Sequence, residues 1–168
     1  MEIWNSYWIL PLLFMFHDFE EQVFVPHWLH KNNPKIIKGF TLFGGVDSSD
    51  ILSFGIWEEF LIYLILSSLA YVINYPLLII AAILPYIFHL IMHIVFSLIK
   101  KGYVPGIVTS IIEIPLTIIY LIVLSQSTLY PLWEWSTVVI FMFIFFLGNL
   151  KIIHWLMFKI ESKLIFEK

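Results

Sequence analysis

The sequence predicts an all-α integral membrane bundle of five transmembrane helices, and three observations carry that reading. Only 12% of the 168 residues are charged and 61% are hydrophobic, where a soluble domain carries about 25% charged residues. The apolar residues gather into five runs, each long enough to cross about 30 Å of hydrocarbon as a helix. All nine basic residues are lysines, and five crossings place every one of them on the same side.

The first span lies near residues 4–28. It has no basic residue before it and runs into His17-Asp18-Phe19-Glu20-Glu21 rather than a small-residue cleavage site, so it reads as a retained helix and not a signal peptide. Residues 31–50 form the one substantial loop. It carries Lys31, Lys35 and Lys38, then Gly44-Gly45, then Asp47-Ser48-Ser49-Asp50, which can cap the next helix. The second and third spans, near 52–74 and 76–99, are separated by the turn Asn74-Tyr75-Pro76. Lys100-Lys101-Gly102-Tyr103 precedes the fourth span, near 104–124, with Pro105 in its first turn. A polar and aromatic turn over 125–133 leads to the fifth span, near 135–157. There is no internal repeat, and residues 1–168 read as a single multi-spanning domain.

Lysine placement sets the orientation. Loops one and three and the segment from Lys151 onward hold all the lysines, so the N-terminus is expected outside and the C-terminus in the cytoplasm of a cell-membrane protein. Trp4, Trp8, Trp133 and Trp135 would then belt the outer interface, and Trp28, Trp57 and Trp155 the inner one. Net charge −3 and the lack of arginine make nucleic acid an unsuitable partner. The expected partners are the lipid bilayer and a lipid-like small molecule. Without cysteine there is neither a disulfide framework nor a thiolate metal site. A metal would need His and carboxylate ligands, which suit zinc, iron or manganese.

The first span holds the groups that need explaining. His17, Glu20 and Glu21 stand at i, i+3 and i+4, on one helical face. A charged side chain at the bilayer centre costs about 2.5–3.5 kcal/mol on insertion scales. Three together require partners, a proton, a metal or water. Counting from the lysines, Glu20 lies 11 residues before Lys31, His89 lies 11 before Lys100, and Glu113 lies 12 after Lys101. Three helices therefore bring ionisable groups to a common depth, about 15–18 Å from the inner charges. His89 and His93 are one turn apart on span three, and Thr109 and Glu113 on span four, while Glu58 and Glu59 enter span two at a shallower depth.

This set offers His17, His89, His93, Glu20 and Glu21 as candidate metal ligands, with Glu20, Glu21 or Glu113 as the catalytic acid or base. It suffices for one open catalytic metal or for a carboxylate-bridged pair. The spacing is not that of the His-Glu-x-x-His zinc proteases.

His17-x-x-Glu20-Glu21, followed by Phe88-His89 and by Tyr103-x-Pro105-Gly106-x-x-Thr109, resembles the HXXEE-domain family of small bacterial membrane proteins, over about residues 10–120. The resemblance implies a multi-spanning membrane domain of uncharacterised function. His93 and Glu113 come from spacing and depth alone.

The functional expectation is a metal-dependent intramembrane enzyme acting on a lipid-like or isoprenoid substrate, with its site in the cytoplasmic half. A small transporter or a proton or metal relay would use the same cluster. A metal-free membrane protease, or a structural partner protein whose polar knot fixes helix packing, are the remaining readings. His27, His30 and His154 read more plainly as interfacial residues, and Glu58 and Glu59 as acids near a helix start.

Overall fold

A computed structural model of the protein describes residues 3–37, 40–46, 48–126 and 128–166. Lys38, Asp47 and Lys168, used above for orientation and capping, lie outside the described residues. The chain forms five helices: α1 (Ile9–Lys31), α2 (Ser49–Ile73), α3 (Leu77–Lys100), α4 (Ile107–Gln126) and α5 (Leu132–Phe166). Four of them, α2 to α5, are long and apolar enough to cross a membrane. With 23 residues, α1 reaches about 35 Å at 1.5 Å per residue. Its middle carries Asp18, Glu20 and Glu21, which dilute its hydropathy.

The helices close into a ring. α1 packs on α2, α2 on α5, α5 on α3, α3 on α4 and α4 on α1. α3 is the most enclosed, with half of its apolar window buried against 17% for α5. On α1 the usual amphipathic order is inverted: Leu12, Phe16, Phe19 and Val23 are exposed while His17, Asp18, Glu20 and Glu21 are buried. Lipid can solvate the former and cannot solvate the latter, so the polar face turns into the ring. A hydrophobic core of Leu10, Phe14, Tyr63, Ile79, Ile80, Ile83, Tyr86 and Tyr120 fills the half of the ring beyond that face.

Both ends of the bundle are tied by polar contacts. At one end Lys100 Nζ donates to the Asn33 and Lys35 carbonyls at 2.6 and 2.7 Å. There the Ser48 amide also donates to Glu161 at 2.9 Å. Loop one, loop three and the α5 extension thus gather the described lysines at a common end. At the other end Tyr75 donates to Glu134, and Tyr120 to the Ser6 carbonyl at 2.8 Å. Burial, then the Glu134 contact, push the Tyr75 phenol up to about 12, so it stays a donor. Reporter fusions should place the α5 end and loop one in the cytoplasm and the turn at Tyr75 outside. An external C-terminus would overturn that orientation.

The structure departs from the sequence reading in four places. Loop one is not wholly irregular: Lys35–Ile37 pairs antiparallel with Phe40–Thr41, followed by a 3₁₀ turn at Leu42–Gly45. Ser48 occupies the N-cap position of α2 but makes no side-chain capping bond; its amide goes to Glu161 instead. Pro105 precedes α4 rather than opening it, because Gly106 adopts φ +87° and interrupts the helix. α5 continues well past residue 157, since its polar tail packs back on loop one through Glu161.

Candidate metal centre

The face of α1 that carries His17 and Glu21 meets α3 where His89 and His93 stand one turn apart. The four ligating atoms, three imidazole nitrogens and one carboxylate oxygen, lie within 4.8 Å of one another. His89 Nε2 is 3.2 Å from His17 Nε2 and 3.1 Å from His93 Nε2. Glu21 Oε1 is 2.9 Å from His93 Nε2, 3.5 Å from His17 Nε2 and 3.8 Å from His89 Nε2. Bonds of about 2.0–2.1 Å set tetrahedral ligand atoms about 3.3 Å apart, close to these separations.

The leading segment of α4 holds two of the rings. Pro105 offers only a carbonyl, so His93 donates its Nδ1 proton to it at 2.7 Å. Thr109 Oγ1 has one proton and gives it to Glu20 Oε2 at 2.7 Å. It must therefore accept from His17 Nδ1, 2.9 Å away. The hydrogen-bond inventory assigns both rings the Nδ1–H tautomer, which leaves their Nε2 lone pairs facing the centre. Gly106 makes this packing possible. A Cβ there would meet His93 Nδ1 at 2.5 Å and His17 Cε1 at 3.0 Å.

Glu20 belongs to this supporting layer. Its carboxylate accepts from the Thr109 amide at 2.8 Å, the Val108 amide at 3.4 Å and the Tyr103 hydroxyl at 2.8 Å, besides the Thr109 hydroxyl. These amides belong to the first turn of α4 and have no partner inside their own helix, which makes the turn an anion site. Burial, then the Glu20 carboxylate, raise the Tyr103 phenol above its ordinary range, so it remains protonated and donating.

Glu21 contrasts with Glu20. Its Oε1 is buried and makes no hydrogen bond among the described residues, although three imidazole nitrogens surround it. A buried carboxylate oxygen facing nitrogen lone pairs is electrostatically unfavourable. A cation at the centre satisfies all four groups, and the ligand set suits a divalent ion such as zinc. The residues fit a metal.

Glu113 stands away from these four and accepts a short hydrogen bond from Tyr86. Tyr86 also sets its ring edge-on to His17 at 6.3 Å. The His89 side chain, 27% exposed, opens onto a cavity of about 220 Å³ enclosed by α1, α2, α3, α5 and the Leu42–Phe43 turn. Its walls are mainly apolar and aromatic, and Glu21, His93, His154, Asp18 and Glu59 also reach it. His154 therefore faces this cavity rather than an interface. Glu58 is held by Asn149 at 3.1 Å.

Three wall residues escaped the sequence reading: Asp18, Glu59 as a cavity group, and Tyr86. One signal was present. Phe14 and Asp18 on α1, and Glu59 and Tyr63 on α2, are i, i+4 pairs. The two helices set Phe14 and Tyr63 ring to ring at 4.7 Å. Tyr86 had no such signal, since tyrosines abound in this chain.

No curated protein and no solved structure matches this chain. A family described as "Protein of unknown function with HXXEE motif" matches residues 8–120, a stretch that includes His17, Glu20, Glu21, His89, His93 and Thr109; the chain belongs to the HXXEE family.

Proposed function

We propose that the protein is a metal-dependent enzyme of the cell membrane that acts, inside the bilayer, on a lipid-like substrate. The observation that carries this reading is the unsatisfied Glu21 oxygen among three imidazoles, placed where His89 opens onto an apolar cavity. A purely structural knot has no need of an exposed imidazole edge. About 220 Å³ is smaller than a pocket for a whole drug-sized ligand, about 300–1,000 Å³. It suits the reacting end of a chain whose remainder lies among the helices or in lipid.

His17, His89, His93 and Glu21 would hold the ion, which supplies Lewis acidity and a nucleophile at neutral pH. Glu20 is a positioning residue acting through Thr109 on His17. Glu113, bonded to the cavity-wall hydroxyl of Tyr86, would manage the proton of the reaction. Elemental analysis of purified protein should find about one divalent ion per chain, as a four-ligand site requires. Hydrolysis of a panel of long-chain esters and amides should stop with chelator and return with the ion. Glu113→Gln should keep the metal and lose about 10²–10⁴-fold in turnover. Metal-free protein, or a reaction indifferent to chelator, would overturn the reading.

A relay reading is favoured by one observation. Ser110 Oγ, Glu113 Oε1 and Thr117 Oγ1 are buried on successive turns of α4 without hydrogen-bond partners among the described residues. They form a polar file running from the site toward Tyr120. Proton uptake by proteoliposomes under an imposed gradient, abolished in Glu113→Gln, would favour the relay over the enzyme.

A further inference from the structure

The geometry points to the cavity as a binding site for the ammonium headgroup of a cationic amphiphile, held by Asp18 and Glu59. This names the substrate class for the enzyme proposed above and rests on that reading only for the reaction, not for the binding.

Asp18 is 5% exposed and lines the cavity, as does Glu59 on the facing helix. Neither carboxylate makes a hydrogen bond among the described residues. This separates them from Glu20, with its four donors, and from Glu58, with Asn149. α1 and α2 run antiparallel, so Asp18 stands beside Glu59 as Phe14 stands beside Tyr63. The acid pair therefore has an aromatic wall one turn away on each helix.

That wall continues around the cavity. Tyr63 lies 4.9 Å from Phe146 in a stacked arrangement and 6.0 Å from Tyr86. Aromatic rings and carboxylates together are the environment that desolvated ammonium groups favour. No lysine lines the cavity, so an anionic headgroup would meet carboxylates without a cationic side chain to offset them. Leu147, Leu150, Ile153 and Met157 of α5 offer the apolar surface for the attached chain.

The test uses the full chain, metal-loaded, in a non-ionic maltoside micelle. Binding is measured for four probes with the same tetradecyl chain: trimethylammonium, alcohol, carboxylate and phosphate. The ammonium probe should bind about tenfold tighter than the alcohol, as a desolvated cation over aromatic rings implies, with the two anions weaker still. Asp18→Asn and Glu59→Gln should each reduce that preference while bound metal shows the site still folded. Equal binding of ammonium and alcohol by the wild-type protein, or tighter binding of either anion, would overturn the inference without recourse to any variant. Elemental analysis of the protein as purified separates the two readings. Ammonium preference in protein that carries no divalent ion and takes none up would sink the enzyme and leave this site standing; a bound ion without the preference would do the reverse.

Discussion

Gly106→Ala should remove metal as completely as deleting a ligand does, although Gly106 coordinates nothing. The added methyl would lie 2.5 Å from His93 Nδ1, 2.6 Å from its Cε1 and 3.0 Å from His17 Cε1. Neither ring is a flexible tip that can swing aside, since each is hydrogen-bonded on the α4 side. At φ +87° the backbone is also in the region where a Cβ costs about 1–2 kcal/mol. Relief requires the Pro105–Gly106 segment to move. That movement withdraws the Pro105 carbonyl from His93 and, through Thr109, loosens His17. The expected result is a folded helical protein by circular dichroism with little or no bound metal. Normal metal content in Gly106→Ala would mean that the two rings are not held in this arrangement.

A graded series at the ligands should have the second largest effect and separates a metal centre from a polar knot. His17→Ala, His93→Ala and Glu21→Gln each delete one of four donors and should remove most of the metal. Glu20→Gln should weaken affinity by only about 10–100-fold, the size of a supporting-layer defect. It removes the charge that holds Thr109 but leaves every ligand in place. Protons compete for the same nitrogen lone pairs, so retained affinity should fall as the pH is lowered. Elemental analysis across pH reads the whole series. If the cluster were a knot, Glu21→Gln would be tolerated or stabilising, because an amide suits a dry site better than an unpaired carboxylate. Wild-type-like thermal stability in both Gln variants, with no metal in any protein, would decide for the knot.

The fold was legible because lipid imposes a strong rule. Every apolar run of sufficient length became a helix, and the described lysines of loops one and three and the tail gather at one end of the bundle. Depth in the bilayer was legible for a similar reason. Helices are rigid rulers, so distances counted from Lys31, Lys100 and Lys101 brought Glu20, His89 and Glu113 to one level, and the structure sets His17, Glu21 and His93 beside His89. Facing direction was harder to read. Glu20 and Glu21 are adjacent in sequence and point about 100° apart. Sequence alone could not tell which of them meets α3 and which meets the start of α4. Glu113 shares the depth of the cluster but lies behind Tyr86. Asp18 was passed over because it falls between more conspicuous neighbours, and its partner Glu59 comes from a helix whose rotation the sequence leaves open. The paired strands of loop one carry too few residues for a periodic signal.

The tautomers of His17 and His93 bear on the thermodynamics of ion uptake. A neutral imidazole carries one ring hydrogen, and in both rings it is already committed to the α4 side, to Thr109 and to the Pro105 carbonyl. A cation binding at this cluster would have no hydrogen to expel from either ring and no ring to turn. The conformational entropy that ligand ordering normally costs is settled when the helices pack. Selectivity for a bound ion would then reside in an aperture shaped by the Pro105 carbonyl, the Thr109 hydroxyl and Gly106. Sequence drift at Pro105, Gly106 or Thr109 would retune which ion the aperture accepts while the His and Glu signature stayed unchanged.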